Sequence, residues 1–430
     1  MKRTAIQLSS LFVVALALCA LWLTINPQDV ASKRPDAILF ERIAHNLASG
    51  NGYSADLEPP YRPEVTRSPF LPVLAAGVFV ICGHDREAVL WLQAVLVALA
   101  VALGFLAARE ALGDGRAAFV GAWIACLAPQ VTASATAFLT EAGAMLQVTL
   151  AAWLLLRWRD WRDRPSAPLA AAAIGLLLAS LVLNRANFTP PVLVAAGWLC
   201  LGALRSGWRR PRALLSVALL AVFLGAPVLG WSARNASLGF SFSPVAAGGG
   251  AGYVFEVKRY RDLLLEPDER IPGCNRRFWT HYRQPISPRR MRELDRCNME
   301  WFCALLAERW PRLVASIPAR VAALFGNRAI FVYDQLWPNE LDDVWFPRIH
   351  WLSRGLWLLS ALGLVAVRRR RPARWIWLGS LGPLVLFHAF TACNPRYLTP
   401  LLPLLMPYGG AAITAVPGLL RRLRRSGEAS

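Results

Sequence analysis

The sequence predicts an all-helical, polytopic membrane protein, and three observations predict it. Hydrophobic residues make up 56% of the 430-residue chain and charged residues only 17%, more apolar than a soluble domain. Apolar runs recur at about the 17–25 residues that a helix needs to cross a bilayer. Between the runs lie short clusters of arginine, which set orientation in membrane proteins.

Taken in order, ten spans are expected at about 4–25, 86–108, 117–135, 138–157, 167–183, 189–205, 212–231, 351–367, 374–391 and 398–420. Basic residues crowd alternate loops: Lys2 and Arg3, Arg109 and Arg116, Arg157 to Arg164, Arg205 to Arg212, Arg368 to Arg374, and Arg421 to Arg425. The opposite turns near 131–140, 184–188 and 392–397 carry none, Arg185 and Arg396, so the rich side is expected in the cytoplasm together with both termini. The run Pro69 to Cys82 is too short to span and opens on Pro69 and Pro72, and it is expected as an outer-face juxtamembrane helix. Met1-Lys2-Arg3 and the apolar residues to Ile25 lack a convincing cleavage site and read as a retained first span.

This layout divides the chain into a membrane core over 1–231 with a first outer loop at 26–85, a small outer region over 232–350 with amphipathic pieces such as Trp301 to Phe325, and C-terminal spans over 351–430. The net charge of +20 would suggest nucleic acid in a soluble chain, but here it lies in the loops between spans, so no nucleic acid partner is expected. Cys274, Cys297 and Cys303 fall in the outer region, where one disulfide is plausible and its pairing is open. Gly248-Gly249-Gly250 lacks a following G-K-[ST] and reads as a turn. The five histidines show no ligand spacing, so no metal site is legible; no cofactor is indicated, and a need for a divalent metal is left open.

Ionisable residues gather at the outer ends of the spans rather than inside them. Asp36 heads the first outer segment and Arg67 ends it; Glu141 follows Thr140, Arg185 follows Asn184, and Arg396 precedes Tyr397. Each has a plainer role: Asp36 as cap of a helix Ala37 to Ala48, Glu141 as complement to a helix N-terminus, the arginines as anchors at the membrane surface. Their shared side is what points to a site, because charges near membrane depth are costly unless they serve one. The lack of midplane charges argues against an ion-coupled transporter.

The motifs Asp36-Ala37, Ile43-Ala44-x-Asn46-Leu47-x-x-Gly50-x-Gly52-Tyr53-Ser54 and Arg67-x-Pro69-x-x-Pro72 resemble the opening of the GT-C membrane glycosyltransferases. The branch is the bacterial one related to protein O-mannosyltransferases and lipid A aminoarabinose transferases. The likeness continues through Leu139-Thr140-Glu141, Leu183-Asn184-Arg185, Trp231-Ser232-Ala233-Arg234-Asn235 and Pro395-Arg396-Tyr397 with Pro400 and Pro403. The protein O-mannosyltransferases carry an acidic pair where this chain has Asp36-Ala37.

The resemblance implies a bacterial inner-membrane enzyme with a periplasmic site. It would transfer a sugar with inversion from a polyprenyl-phosphate donor to an acceptor hydroxyl on a lipid, glycan or protein. Asp36 is then the expected base, Arg185, Arg396 and Arg67 the groups facing the donor phosphate, and Glu141, Tyr397 and Tyr53 their supports. The lipid tail would lie between spans. A flippase for lipid-linked glycans and a non-catalytic envelope scaffold are the competing readings of the same layout.

Overall fold

The computed structural model describes residues 2–25, 35–205, 211–243, 254, 264–265, 270–281, 287–325, 345–367, 371–390 and 397–427. The expected site residue Arg396 and the glycine run 248–250 lie outside these. The described helices are α1 (Lys2–Ile25), α2 (Pro35–Ala48), α3 (Phe70–Cys82), α4 (Arg86–Leu112), α5 (Gly115–Leu127), α6 (Glu141–Trp161), α7 (Ala167–Asn184), α8 (Thr189–Arg205), α9 (Pro211–Ser237), α10 (Gly273–His281), α11 (Pro288–Leu324), α12 (Trp345–Ala366), α13 (Arg371–Phe390) and α14 (Pro407–Gly427), with short turns of helix between. No strand occurs among the described residues.

Every expected span carries a helix, but among the described residues six stretches are by themselves long and apolar enough to cross a membrane: α1, α4, α7, Ala186–Arg205, α9 and Thr399–Pro417. The span expected at 117–135 is broken. α5 ends at Leu127, Ala128 is extended, and the chain resumes from Pro129 to Thr136 at an angle of 63°. Pro129 has no N–H to donate and disfavours helical geometry in the residue before it. Counting that bent pair as one span makes seven. α6 falls short because Glu141 opens it and Arg157, Arg159 and Asp160 crowd its end.

Helix α4 is the hub, with Ala94, Ala98, Val101, Phe105 and Ala108 fully buried and α1, α5 and α6 packed around it. α9 packs along α7, and α14 lies against α5 and α12. Without water to drive helices together in lipid, close backbone approach at small residues carries the packing. A Cβ at Gly410 would strike the Ala117 carbonyl and the Gly121 backbone, and one at Gly363 would strike the Tyr408 carbonyl. Gly410→Val is therefore expected to lower stability by about 1–3 kcal/mol, read as a fall in the thermal midpoint of the purified protein. Gly230→Ala meets no atom within 4 Å and should leave that midpoint unchanged or slightly raised.

Outside the spans, α10 packs on α11, and a disulfide joins Cys274 to Cys297 while Cys303 is free and exposed. The amphipathic piece expected at Trp301 to Phe325 is the second half of α11, which kinks at Arg309. Beyond the kink Leu324 joins the main core, and Phe325 meets Trp357 of α12 edge to face at 5.3 Å.

Candidate active site

Helix α2 starts at Pro35, so Asp36 sits inside its first turn rather than capping it from outside, as the sequence had suggested. The helix turns Ala37, Phe40 and Ala44 into a cluster with Leu71, Ala75 and Phe79 of α3, which fixes the orientation of its first turn. After α2 the chain doubles back. Gly50 and Gly52 take φ of +80° and +81°, a region that side chains with a Cβ rarely enter. The buried Asn46 donates from Nδ2 to the carbonyls of Ser54 and Asp56, both at 2.8 Å, and so holds the returning loop against α2.

Along that loop Asp56 accepts bonds from the Arg62 backbone and guanidinium at 2.6 to 3.2 Å. Burial alone would raise the Asp56 carboxyl, but the Arg62 bonds and charge and the Ser54 hydroxyl together hold it below the ordinary carboxylate value. A depressed pKa means stability gained above the unfolded value, about 3.9, and lost as pH falls through the folded one. Hydrogen exchange over residues 54–62 is thus expected to accelerate on acidification below about pH 4, before α4 responds.

The loop delivers Arg67, which donates from Nη2 to Asp36 Oδ1 at 3.0 Å. Burial is uneven across this pair, the arginine side chain being 2% exposed and the aspartate 34%. The guanidinium is thus fixed within the protein, while the carboxylate remains reachable by a substrate. Tyr53 donates its hydroxyl to the Arg67 carbonyl at 3.0 Å. Burial first, then the Glu64 charge, pushes the Tyr53 hydroxyl well above its usual value, which keeps it a neutral donor.

A second pair lies at the junction of α6 and α7. Arg185 follows α7 in extended geometry and donates from Nη1 to Glu141 Oε1 at 2.9 Å and to Thr140 Oγ1 at 3.2 Å. Both charged side chains are buried, with exposures of 7% and 6%. Thr140 therefore serves the arginine and makes no side-chain cap for α6. The Arg185 guanidinium also lies over the Tyr397 ring at 5.9 Å, and Tyr397 stacks on His388 at 4.4 Å with 10° between the rings. His388 in turn meets Asn187 at 3.2 Å.

The two pairs are joined by a short bridge. Ser68, next to Arg67, donates to the carbonyl of Asn184, next to Arg185, at 2.8 Å. Asn184 donates from Nδ2 to the Thr140 carbonyl at 3.2 Å and to Gln147 Oε1 at 2.9 Å. Asp36, Arg67, Tyr53, Glu141, Arg185 and Tyr397 thus form one connected network, whereas Arg396 is outside the described residues. Ser68, Gln147, Asn187 and the buried His388 were not singled out by sequence reasoning, since polar residues this far apart leave no local pattern. Beside this network an apolar cavity of about 430 Å³ runs between α6, α7, α8 and α13, from Phe188 and Pro191 near Arg185 to Glu110 and Arg159 at the arginine-rich end.

Residues 66–231, which hold Arg67, Glu141 and Arg185 but not Asp36, match the family model described as dolichyl-phosphate-mannose-protein mannosyltransferase. Over that segment, 166 of the 430 residues, the chain is similar to this mannosyltransferase family. Among curated proteins no sequence matches it. Solved structures similar to this chain include ArnT from Cupriavidus metallidurans bound to undecaprenyl phosphate. That protein is 16% identical with a TM-score of 0.43, over 95% of this chain and 78% of the other. An Archaeoglobus fulgidus oligosaccharyltransferase tethered to an acceptor peptide is 14% identical with a TM-score of 0.46, over 97% of this chain and 50% of the other, so the chain here spans about half its length. A second structure of that oligosaccharyltransferase, with zinc and sulfate, is 14% identical with a TM-score of 0.37, over 90% of this chain and 53% of the other. Among the described residues, no group of three or more His, Cys, Asp or Glu side chains is placed to hold a metal ion.

Proposed function

We propose that this protein is a glycosyltransferase that moves a sugar from a polyprenyl-phosphate donor to an acceptor hydroxyl at the periplasmic face of a bacterial inner membrane, with inversion. The observation that carries the reading is the pairing of a reachable Asp36 carboxylate with a buried Arg67, bridged through Ser68 and Asn184 to a second buried arginine. An inverting transfer needs one carboxylate to take the acceptor proton as the hydroxyl attacks the anomeric carbon, and cations where the phosphate departs. Asp36 takes the first role in this proposal. Arg185 and Arg67, with Arg396, take the second, because guanidinium forks match phosphate oxygens and stay charged. Glu141, Tyr53 and Tyr397 hold the arginines in place.

The matched family model, named for a dolichyl-phosphate sugar, supports the donor class. The apolar cavity that begins at Phe188, whose backbone N–H bonds the Arg185 carbonyl at 3.0 Å, suits the first isoprene units of the carrier. The periplasmic assignment is supported by the arginine-rich loops opposite and by a disulfide in the outer region, a bond that reducing compartments disfavour. The division into a membrane core at 1–231, an outer region at 232–350 and C-terminal spans at 351–430 is part of this proposal.

The test incubates purified full-length protein with a panel of polyprenyl-phosphate sugars. One member is expected to raise the thermal midpoint, since a ligand that prefers the folded state stabilises it, and to yield free polyprenyl phosphate with a glycosylated acceptor from a membrane extract. Stabilisation without release of the carrier under any acceptor would favour a transporter instead.

A further inference from the structure

We infer that Arg234 is a positioning residue for the Asp36–Arg67 pair, acting through the segment Glu64 to Arg67; the inference rests on Asp36 being the base. Arg234 lies in the last turn of α9. Its guanidinium lies over the Trp231 ring at 4.7 Å and the Tyr53 ring at 5.2 Å, and Tyr53 meets Trp231 edge to face at 5.0 Å. A planar cation set against two aromatic faces has its direction fixed. From there Nη1 donates to the Glu64 carbonyl at 2.6 Å and to Asn235 Oδ1 at 2.9 Å.

Each residue from Glu64 to Arg67 is then tied to something outside the loop or to its neighbour. Glu64 accepts on Oε1 from the Thr66 backbone N–H and, at 2.5 Å, from its hydroxyl. Thr66 Oγ1 accepts from Arg67 Nη1 at 3.3 Å. Val65 is buried with Phe240, Phe278, Met291 and Leu294, a cluster contributed by the outer region beside the Cys274–Cys297 bridge. Tyr53, one wall of the Arg234 box, bonds the Arg67 carbonyl. No helix or strand holds residues 51–69, so these side-chain ties take the place that a backbone ladder holds elsewhere. The position of Arg67 relative to Asp36 has to be held to a fraction of an ångström, because displacement of about 1 Å near reacting groups costs on the order of 100-fold in rate.

The test compares Arg234→Gln and Arg234→Lys with the wild type, all as full-length protein in lipid nanodiscs. In Arg234→Gln, hydrogen exchange in peptides covering 62–69 is expected to speed up about 10-fold with peptides from α4 unchanged, and lysine, which keeps the charge over the rings, should restore most of the protection. With the donor found in the panel, kcat should fall about 10–100-fold while KM for that donor stays within threefold. Unchanged exchange and kcat in Arg234→Gln would overturn the inference. If Arg234→Gln instead loosens every peptide, Tyr53→Phe, which deletes only the bond to the Arg67 carbonyl, decides: local loosening over 62–69 supports the inference and none overturns it. A wild type that transfers no sugar from any donor would sink the functional reading, while the exchange comparison would still decide whether Arg234 holds the segment.

Discussion

Asp36→Asn is expected to lower sugar transfer by about 10²–10⁴-fold, the range that a positioned general base contributes, while leaving the protein folded and able to bind the carrier. Asparagine keeps an oxygen for Arg67 Nη2 and nearly the same volume, so the 3.0 Å contact with Arg67 can persist. What it lacks is the lone pair basic enough to take the acceptor proton. Undecaprenyl phosphate, a polyprenyl phosphate without its sugar, is the probe for binding: its stabilisation of the variant should stay within about threefold in apparent affinity of the wild type. Arg67→Gln should do the opposite, weakening binding and also destabilising the fold, because Arg67 is buried and Asp36 is not. Transfer by Asp36→Asn within twofold of the wild type would move the base elsewhere. Loss of carrier binding together with transfer would reduce Asp36 to a structural partner of Arg67.

What the sequence revealed and what it concealed follows from the reach of the interactions. Spans are local: twenty apolar residues identify themselves, and loop arginines orient them. The bend before Pro129 was hidden because Ala125, Cys126 and Val131 continue the apolar run on both sides of it, although proline itself signals a break. The charged ends Asp36, Arg67, Glu141 and Arg185 were legible singly. Which would pair with which was not, since Asp36 and Arg67 are 31 positions apart and Ser68 and Asn184 are 116 apart, with no period linking them. The same distance concealed His388, which meets Asn187 across 201 positions and takes its meaning from the Tyr397 ring stacked on it. The disulfide was left open among three cysteines until α10 was seen lying against the first half of α11, which brings Cys297 and not Cys303 to Cys274.

Arg185 and Glu141 offer a sharper separation of structural from functional roles than either residue alone. Both are buried, and removing one partner leaves the other charge without its counter-ion, so Arg185→Gln and Glu141→Gln are each expected to cost about 3–5 kcal/mol of stability. The double variant Glu141→Gln/Arg185→Gln exchanges a buried ion pair for a buried amide pair and should cost much less than the sum, since neighbours in one network do not add. Carrier binding divides the two roles. If Arg185 exists to neutralise Glu141, the double variant recovers stability and undecaprenyl phosphate binding together. If it exists to meet the donor phosphate, stability recovers while binding stays about 10–100-fold weaker, the worth of hydrogen bonds to a charged group. The second outcome is the expected one, because Thr140 and the Tyr397 ring already orient the guanidinium, and a group wanted only as a counter-ion to Glu141 has no need of that direction.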